Sequence, residues 1–207
     1  MNKSEKFWDK RAKEYDKQDK KYELSQNKAV ENTIKYLDRN HKILDFGCGY
    51  GLITAKIAEY VKEVHGIDIS SEMIDVAQRK AVEHNIENVS YTKATIFDDF
   101  LKEESYDVIL AYNILHLLED KKKVIESINK LLKPGGLFIS ETVCFGEKKA
   151  TLGGLLIFLS KIKLIPYVDK MKFSDLDSLI VAENFQIIET EDLDNNSLNY
   201  FIVAKKQ

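Results

Sequence analysis

The sequence predicts an α/β fold, a mostly parallel sheet with helices on both faces, and three observations carry that prediction. Short apolar segments alternate with segments of helical periodicity across residues 42–142, the order that right-handed strand–helix–strand units produce. Tyr106 to Ala111 is an almost continuous apolar run, as a strand buried on both faces requires. Residues Ile43 to Gly51 read Ile-Leu-Asp-Phe-Gly-Cys-Gly-Tyr-Gly: a strand ending in an acid, three glycines at alternate positions, then a helix.

The elements follow in order. The first 40 residues read as helical: Phe7, Trp8, Ala12 and Tyr15 recur at helical spacing, and so do Val30, Ile34 and Leu37. Strand one is Lys42 to Phe46, and the helix after it repeats Ile53, Ile57 and Val61 on one face. Strand two is Glu63 to Ile69. Its helix, with Ser70 or Ser71 as cap, turns Met73, Ile74, Ala77 and Ala81 inward. Strand three is Val89 to Lys93 and strand four Tyr106 to Ala111. Asp120 caps the next helix, whose inward residues are Val124, Ile125, Ile128, Leu131 and Leu132. Pro134-Gly135-Gly136 ends that helix and turns the chain into strand five, Leu137 to Thr142. Ser174 and Asp177 read as a box-like helix start before Leu176, Leu179 and Ile180. Strands from Phe185 to Thr190 and Tyr200 to Lys205 flank the polar run 192–197, a hairpin loop.

Composition narrows the classes. The 207 residues suit one domain with a buried core. A net charge of −3 gives no electrostatic footprint for nucleic acid, so none is expected as a partner. Cys48 and Cys144 lie far apart without metal-type spacing. No metal site and no disulfide framework are expected, and a cytoplasmic setting fits. The N-terminus lacks the apolar core of a secretory signal. Leu152 to Ile165 is dense in Leu, Ile and Phe but is interrupted by Lys161 and Lys163. It is too short to cross a bilayer, which takes about 20 apolar residues. It reads by default as a core helix; a lid over an apolar acceptor and a membrane-surface helix are the alternatives.

The glycine loop carries the chemistry. Glycine lets a backbone turn sharply and approach a ligand closely. The spacing is G-x-G-x-G, and Leu52 follows where a dinucleotide fingerprint needs a further small residue. Asp45, two residues before Gly47, would repel a pyrophosphate but not a ligand carrying an amine. Asp68 ends strand two, 68 − 47 = 21 residues after the first glycine, where an acid accepts hydrogen bonds from ribose hydroxyls. An acid at a helix N-terminus is the alternative for Asp68, set below the ribose role because Ser70 or Ser71 already offers a cap.

With these residues in place, the chain resembles the class I S-adenosylmethionine-dependent methyltransferases. Asp45, Gly47, Gly49 and Gly51 match that family's first motif position for position. The resemblance implies a Rossmann-like seven-stranded sheet whose last strand inserts antiparallel through the C-terminal hairpin. It implies S-adenosylmethionine as cofactor and S-adenosylhomocysteine as product. It gives Asp45, Gly47 and Cys48 the amino-acid moiety, with Gly49 and Gly51 in the same loop; Asp68 takes the ribose, with Ile69 and Met73 close by. Thr95 and Ile96 take the adenine, where the family often has an acid; Asp98 is that acid only in a shifted register. Asn113 faces the methionine part through its backbone. Phe7 to Asp16 is similar to an N-terminal helix that lies over the cofactor, with Tyr15 either closing the site or simply packing. Tyr112 and His116 are weak catalytic candidates: Tyr112 could orient an acceptor, and His116 could act as a base near its unperturbed pKa of about 6.5, or merely shape the pocket.

The resulting organisation is one domain. Residues 1–40 are cap helices, 41–142 the cofactor-binding core, 143–172 an acceptor-site insertion, and 173–207 the C-terminal helix and hairpin. The expected activity is methyl transfer to a small, hydrophobic or lipid-like acceptor, with 152–165 able to meet a membrane surface. Asn113 is not followed by the Pro-Pro-Tyr that accompanies methylation of exocyclic base amines, and no cysteine is placed as a nucleophile. A cofactor-binding module acting through a partner and a nicotinamide-dependent oxidoreductase are the competing readings. Acceptor and oligomeric state are not legible.

Overall fold

The computed structural model describes residues 3–17, 28–147, 151–193 and 198–207, apart from the side chains of residues 15–17, 151 and 152. Seven strands form one sheet: β1 (Lys42–Phe46), β2 (Glu63–Asp68), β3 (Val89–Lys93), β4 (Tyr106–Tyr112), β5 (Leu132–Val143), β6 (Phe185–Asp192) and β7 (Asn199–Lys206). Their order is β3-β2-β1-β4-β5-β7-β6. The first five run parallel, and β7 lies antiparallel between β5 and β6. The helices are α1 (Lys3–Lys17), α2 (described over 28–34), α3 (Leu52–Ala58), α4 (Ser71–Glu83), α5 (Lys121–Leu131), α6 (Thr151–Lys161) and α7 (Phe173–Ala182).

Side chains alternate across a strand, so each strand feeds two cores. Ile43, Leu110, Ile139 and Phe201 meet Ala29 and Val30 of α2 and Ile53 and Ile57 of α3. Leu44, Ile109, Phe138 and Ile202 meet Ile125 and Ile128 of α5 and Ile180 of α7. The chain leaves β1 towards β2 on one side and returns beside it as β4 on the other. That reversal opens a crevice at the carboxyl ends of the strands, where sheets of this kind take ligands.

The expected fold class is the observed one; the differences are local. Val61 lies beyond the end of α3 yet remains buried. β5 starts at Leu132 rather than after the Pro134-Gly135-Gly136 turn, because Leu132 already pairs with Tyr106 and the register shifts past Asp107. The start of α7 is boxed by Asp175, which accepts from the Lys172 backbone N–H at 2.9 Å, and not by Ser174 and Asp177. The hairpin loop shortens because β6 runs to Asp192 and β7 begins at Asn199; residues 194–197 lie outside the described residues.

The largest departure is α6. Leu155 and Phe158 are 51% and 57% exposed, and Ile162 and Leu164 beyond it are exposed too. The default core reading of this segment fails, since α2, α3 and α4 already cover one face of the sheet and α5 and α7 the other. α6 is instead seated at the crevice. Gly153 lies so close to Phe145 that a Cβ would come within 2.8 Å of its ring, and Phe145 packs edge-on against His116.

Candidate active site

A cavity of about 620 Å³ occupies the crevice, within the size range of small-molecule sites. The ends of β1, β2, β4 and β5 and the loop 94–97 line it, and Ser4 and Trp8 of α1 close over it. Contacts that hold α1 there include Asp9, which accepts from Ser70 Oγ at 2.6 Å, and Glu5, which pairs with Lys93 at 2.5 Å.

The three glycines do different jobs. A Cβ on Gly47 would sit 2.3 Å from Ile114 Cδ1, and one on Gly51 would sit 2.6 Å from Tyr91 Oη, both at positive φ. These two exist to pack the loop against its own protein. A Cβ on Gly49 would meet nothing within 4 Å. Only the middle glycine, also at positive φ, turns towards open space. Its N–H donates to Asp68 Oδ2 at 3.0 Å, while Ser70 N–H donates to Oδ1 at 2.8 Å. Asp68 thereby ties the loop after β1 to the end of β2.

Asp45 is 1% exposed and accepts a 2.5 Å hydrogen bond from Thr54 Oγ1 of α3. Burial pushes its carboxyl up to about 6; the Thr54 bond opposes that shift and the Asp68 carboxylate adds to it. Burial also raises Asp68, against the backbone donors Ser70, Gly49 and Ile69. Glu141, at the end of β5, is 1% exposed and lines the same cavity. Among the described residues no Lys or Arg side chain lines it. Two buried acids, Asp45 and Glu141, and the half-buried Asp68 on one cavity make a space suited to positive charge and hydrogen-bond donors.

Asp45, Gly47, Cys48, Gly49, Asp68, Ile69, Met73, Thr95, Ile96, Tyr112, Asn113 and His116 all line this cavity; Gly51 stands behind the loop. Tyr15 falls in α1, but its side chain lies outside the described ones. Several placements correct the sequence reading. Cys48 packs its side chain with Ile74, Ala77 and Tyr91, and burial raises its thiol well above the usual range. Asp98 does not line the cavity; it caps the loop by accepting from Thr95 N and Oγ1 at 2.8 and 2.6 Å. The Tyr112 hydroxyl is hydrogen-bonded to Thr33 Oγ1 of α2, and burial raises its pKa, so the phenol keeps its proton. His116 is 8% exposed, and burial and Lys121 lower its pKa to about 4. It is therefore neutral near pH 7 rather than poised at its ordinary value.

Sequence reasoning missed two residues. Trp8 was visible only as part of a helical stripe, and α1 had to fold over α4 before it became a wall of the cavity. Glu141 carried a usable signal: one charge inside the apolar run of β5. Asn113 turns the chain after β4 with φ 54, a left-handed conformation that asparagine tolerates better than most, and its N–H bonds to the Glu141 carbonyl at 2.8 Å.

A smaller cavity of about 180 Å³ adjoins the first and shares Trp8, His116, Leu117 and Pro166 with it. Its remaining walls are mostly apolar, including Phe7 of α1, Leu156 of α6 and Ile165. Lys121 pairs with Asp169 of the irregular segment beside it at 2.6 Å and donates to the Leu118 carbonyl at 2.7 Å.

Comparison with known proteins gives one family. A family model described as a methyltransferase domain matches residues 37–190. A ubiquinone biosynthesis O-methyltransferase of Rickettsia bellii is 29% identical over 183 residues, covering 80% of this chain and 75% of that protein. The crystal structure of the YcgJ protein of Bacillus subtilis superposes with a TM-score of 0.72 at 19% identity, covering 86% of this chain and 98% of that one. A Haemonchus contortus phosphoethanolamine N-methyltransferase 2, solved in complex with S-adenosyl-L-methionine, gives a TM-score of 0.72 at 18% identity, covering 88% of this chain and 52% of that one. At such identities the two structures establish the shared fold.

Proposed function

The chain belongs to the methyltransferase-domain family, and from that premise we propose that its crevice seats S-adenosylmethionine beside a small acceptor. The observation that carries the assignment is the junction of Gly49 and Asp68 under open space, with Asp45 buried next to it.

The donor set fits the cofactor. The two backbone donors that hold the Asp68 carboxylate in position support its role as the acceptor for the ribose diol. Asp45 and the loop from Gly47 to Gly49 suit the ammonium of the amino-acid moiety. Ala94 to Phe97 offer apolar walls and a backbone edge for adenine. Ile69, Met73 and the Asn113 backbone complete the seat, and Trp8 supplies an aromatic wall among the described side chains. A sulfonium supplies an activated methyl with a neutral leaving group. The chain's own task is to align the acceptor and exclude water, and proximity and orientation contribute roughly 7–11 kcal/mol to such reactions.

The acceptor side is apolar. Trp8, Leu117, Leu156 and Ile165 line the route from α6 to the methyl-transfer end, which supports a small hydrophobic acceptor or the head of a lipid. Residues 143–172 act as the acceptor-site insertion in this reading. Among the described residues no helix is long and apolar enough to cross a membrane. The exposed Leu155 and Phe158 give α6 a surface able to meet a lipid interface.

Isothermal titration with S-adenosylmethionine, S-adenosylhomocysteine and NAD tests the assignment. Micromolar binding of both sulfur ligands and none of NAD is the expected result. Binding of NAD alone would overturn the assignment of Asp45 and the glycine loop.

A further inference from the structure

Charge is divided unevenly along the chain. Residues 148–172 carry six lysines and one aspartate, a net +5, whereas the rest of the chain has 25 basic against 33 acidic residues, a net −8. A block of one sign on an apolar segment marks a surface that meets the opposite sign. That block holds α6 and the turn after it.

The structure puts apolar and basic groups together there. Leu155, Phe158 and Ile162 are spaced i, i+3, i+7, and all three are exposed. Ile162 N–H still bonds to the Phe158 carbonyl at 3.1 Å, so they form one stripe. The helix then ends in a Schellman cap: Lys163 N–H bonds to the Ser160 carbonyl at 2.9 Å and Leu164 N–H to the Leu159 carbonyl at 3.0 Å. Glycine is usual at the left-handed position of that cap, yet Lys163 holds it with φ 60. The residue after it commonly packs back on the helix; Leu164 is instead 66% exposed. Val168 N–H donates to Ser160 Oγ at 2.9 Å, which returns the chain to this end of α6 and brings Lys170 within two residues of it. Lys161, Lys163 and Lys170 are exposed, and none forms an ion pair with a described residue.

We propose that the stripe of Leu155, Phe158 and Ile162, with Leu164 and the three lysines Lys161, Lys163 and Lys170, docks the protein on an anionic lipid bilayer. The apolar side chains enter the headgroup region, and the lysines meet the anionic headgroups. A soluble polyanion would satisfy the lysines but leave Phe158, Ile162 and Leu164 in water. A neutral bilayer would cover those three and leave the charge unanswered. Leu156 of the same helix and Ile165 line the apolar cavity beside His116. Docking therefore places the bilayer one helix away from that cavity, as a source of apolar acceptor; for this purpose the inference rests on the function proposed above.

The test is cosedimentation of the full chain, without cofactor, with vesicles of phosphatidylcholine alone or mixed with phosphatidylglycerol. A lysine close to an anionic surface contributes about fivefold to binding. The mixed vesicles should therefore bind at least about tenfold more tightly, and high salt should weaken that binding by screening. Lys161→Glu with Lys163→Glu and Lys170→Glu should abolish the preference and leave S-adenosylmethionine affinity intact. Should that variant not fold, Lys163→Gly, which suits φ 60, should still fold and weaken binding to mixed vesicles about fivefold. The proposal is overturned if neither vesicle binds, if both bind equally, or if the lysine variants keep the full preference. Binding to heparin without binding to vesicles would assign the lysines to a soluble polyanion and overturn it too. Loss of S-adenosylmethionine binding is a separate result, which would sink the cofactor assignment and leave the docking surface standing.

Discussion

The backbone N–H of Gly49 donates to Asp68 Oδ2 over 3.0 Å, joining the only loop glycine that faces open space to the acid that ends β2. Asp68 closes the loop, and in the proposed function its remaining lone pairs serve the ribose. Hydrogen bonds to a charged group contribute about 1.5–3 kcal/mol each. Asp68→Ala should raise the S-adenosylmethionine dissociation constant by at least about tenfold and lower the melting temperature as well. Titration calorimetry on the folded variant checks the first effect; unchanged affinity would refute the ribose assignment.

Gly49 and Gly51 should respond differently to the same change. At Gly51 an added methyl would lie 2.6 Å from Tyr91 Oη and 3.0 Å from Ala77 Cβ, so Gly51→Ala should destabilise the fold by about 2 kcal/mol or more through strain and overpacking. Gly49→Ala meets no protein atom within 4 Å and should cost only the left-handed backbone penalty of about 1–2 kcal/mol. Its methyl points where the ligand is expected, so it should lose cofactor affinity out of proportion to stability. Denaturation curves paired with titrations separate the two outcomes.

The raised carboxyl of Asp45 sets a pH dependence. Its pKa moves from an ordinary 3.8 to about 6 on folding, so the folded state holds the proton that the unfolded state releases. Its contribution to stability is present below pH 3.8 and is lost as pH rises through about 6. A cofactor ammonium favours the ionised form, so binding below that pH must expel a proton. Affinity for S-adenosylmethionine should rise with pH up to about 6, by at most about tenfold per unit, and then level off. Asp45→Asn should flatten this slope. His116, lowered to about 4, is mostly neutral above about pH 5 and should contribute little to the slope just below pH 6.

The exposed apolar face of α6 gives a surface prediction. Leu155→Ser with Phe158→Ser removes side chains that are more than half exposed, so stability should change by no more than about 0.5 kcal/mol per site. If α6 meets a lipid interface, the double variant should bind phospholipid vesicles more weakly than the wild type in a flotation assay. Equal retention of the two proteins would remove the lipid-surface role.

The sequence by itself determined most of the fold and the cofactor side of the crevice. Strand β1, its acid, the glycine loop and Asp68 lie within a short stretch of chain, so their spacing encodes their geometry: one strand end, one turn, one helix, one return. Periodicity likewise fixed the inward faces of α4 and α5, because helix and strand periods are local properties. What joins distant segments was decided only by tertiary structure. Tyr112 lost its phenol to Thr33, His116 lost its ordinary basicity to burial, and Trp8 became a wall because α1 folds across α4. The apolar stretch of α6 looked like core, yet both faces of the sheet were already covered and left it outside. Desolvation and packing depend on what arrives from elsewhere in the chain, and no local spacing encodes them; the α6 side of the crevice is built almost wholly from such contacts.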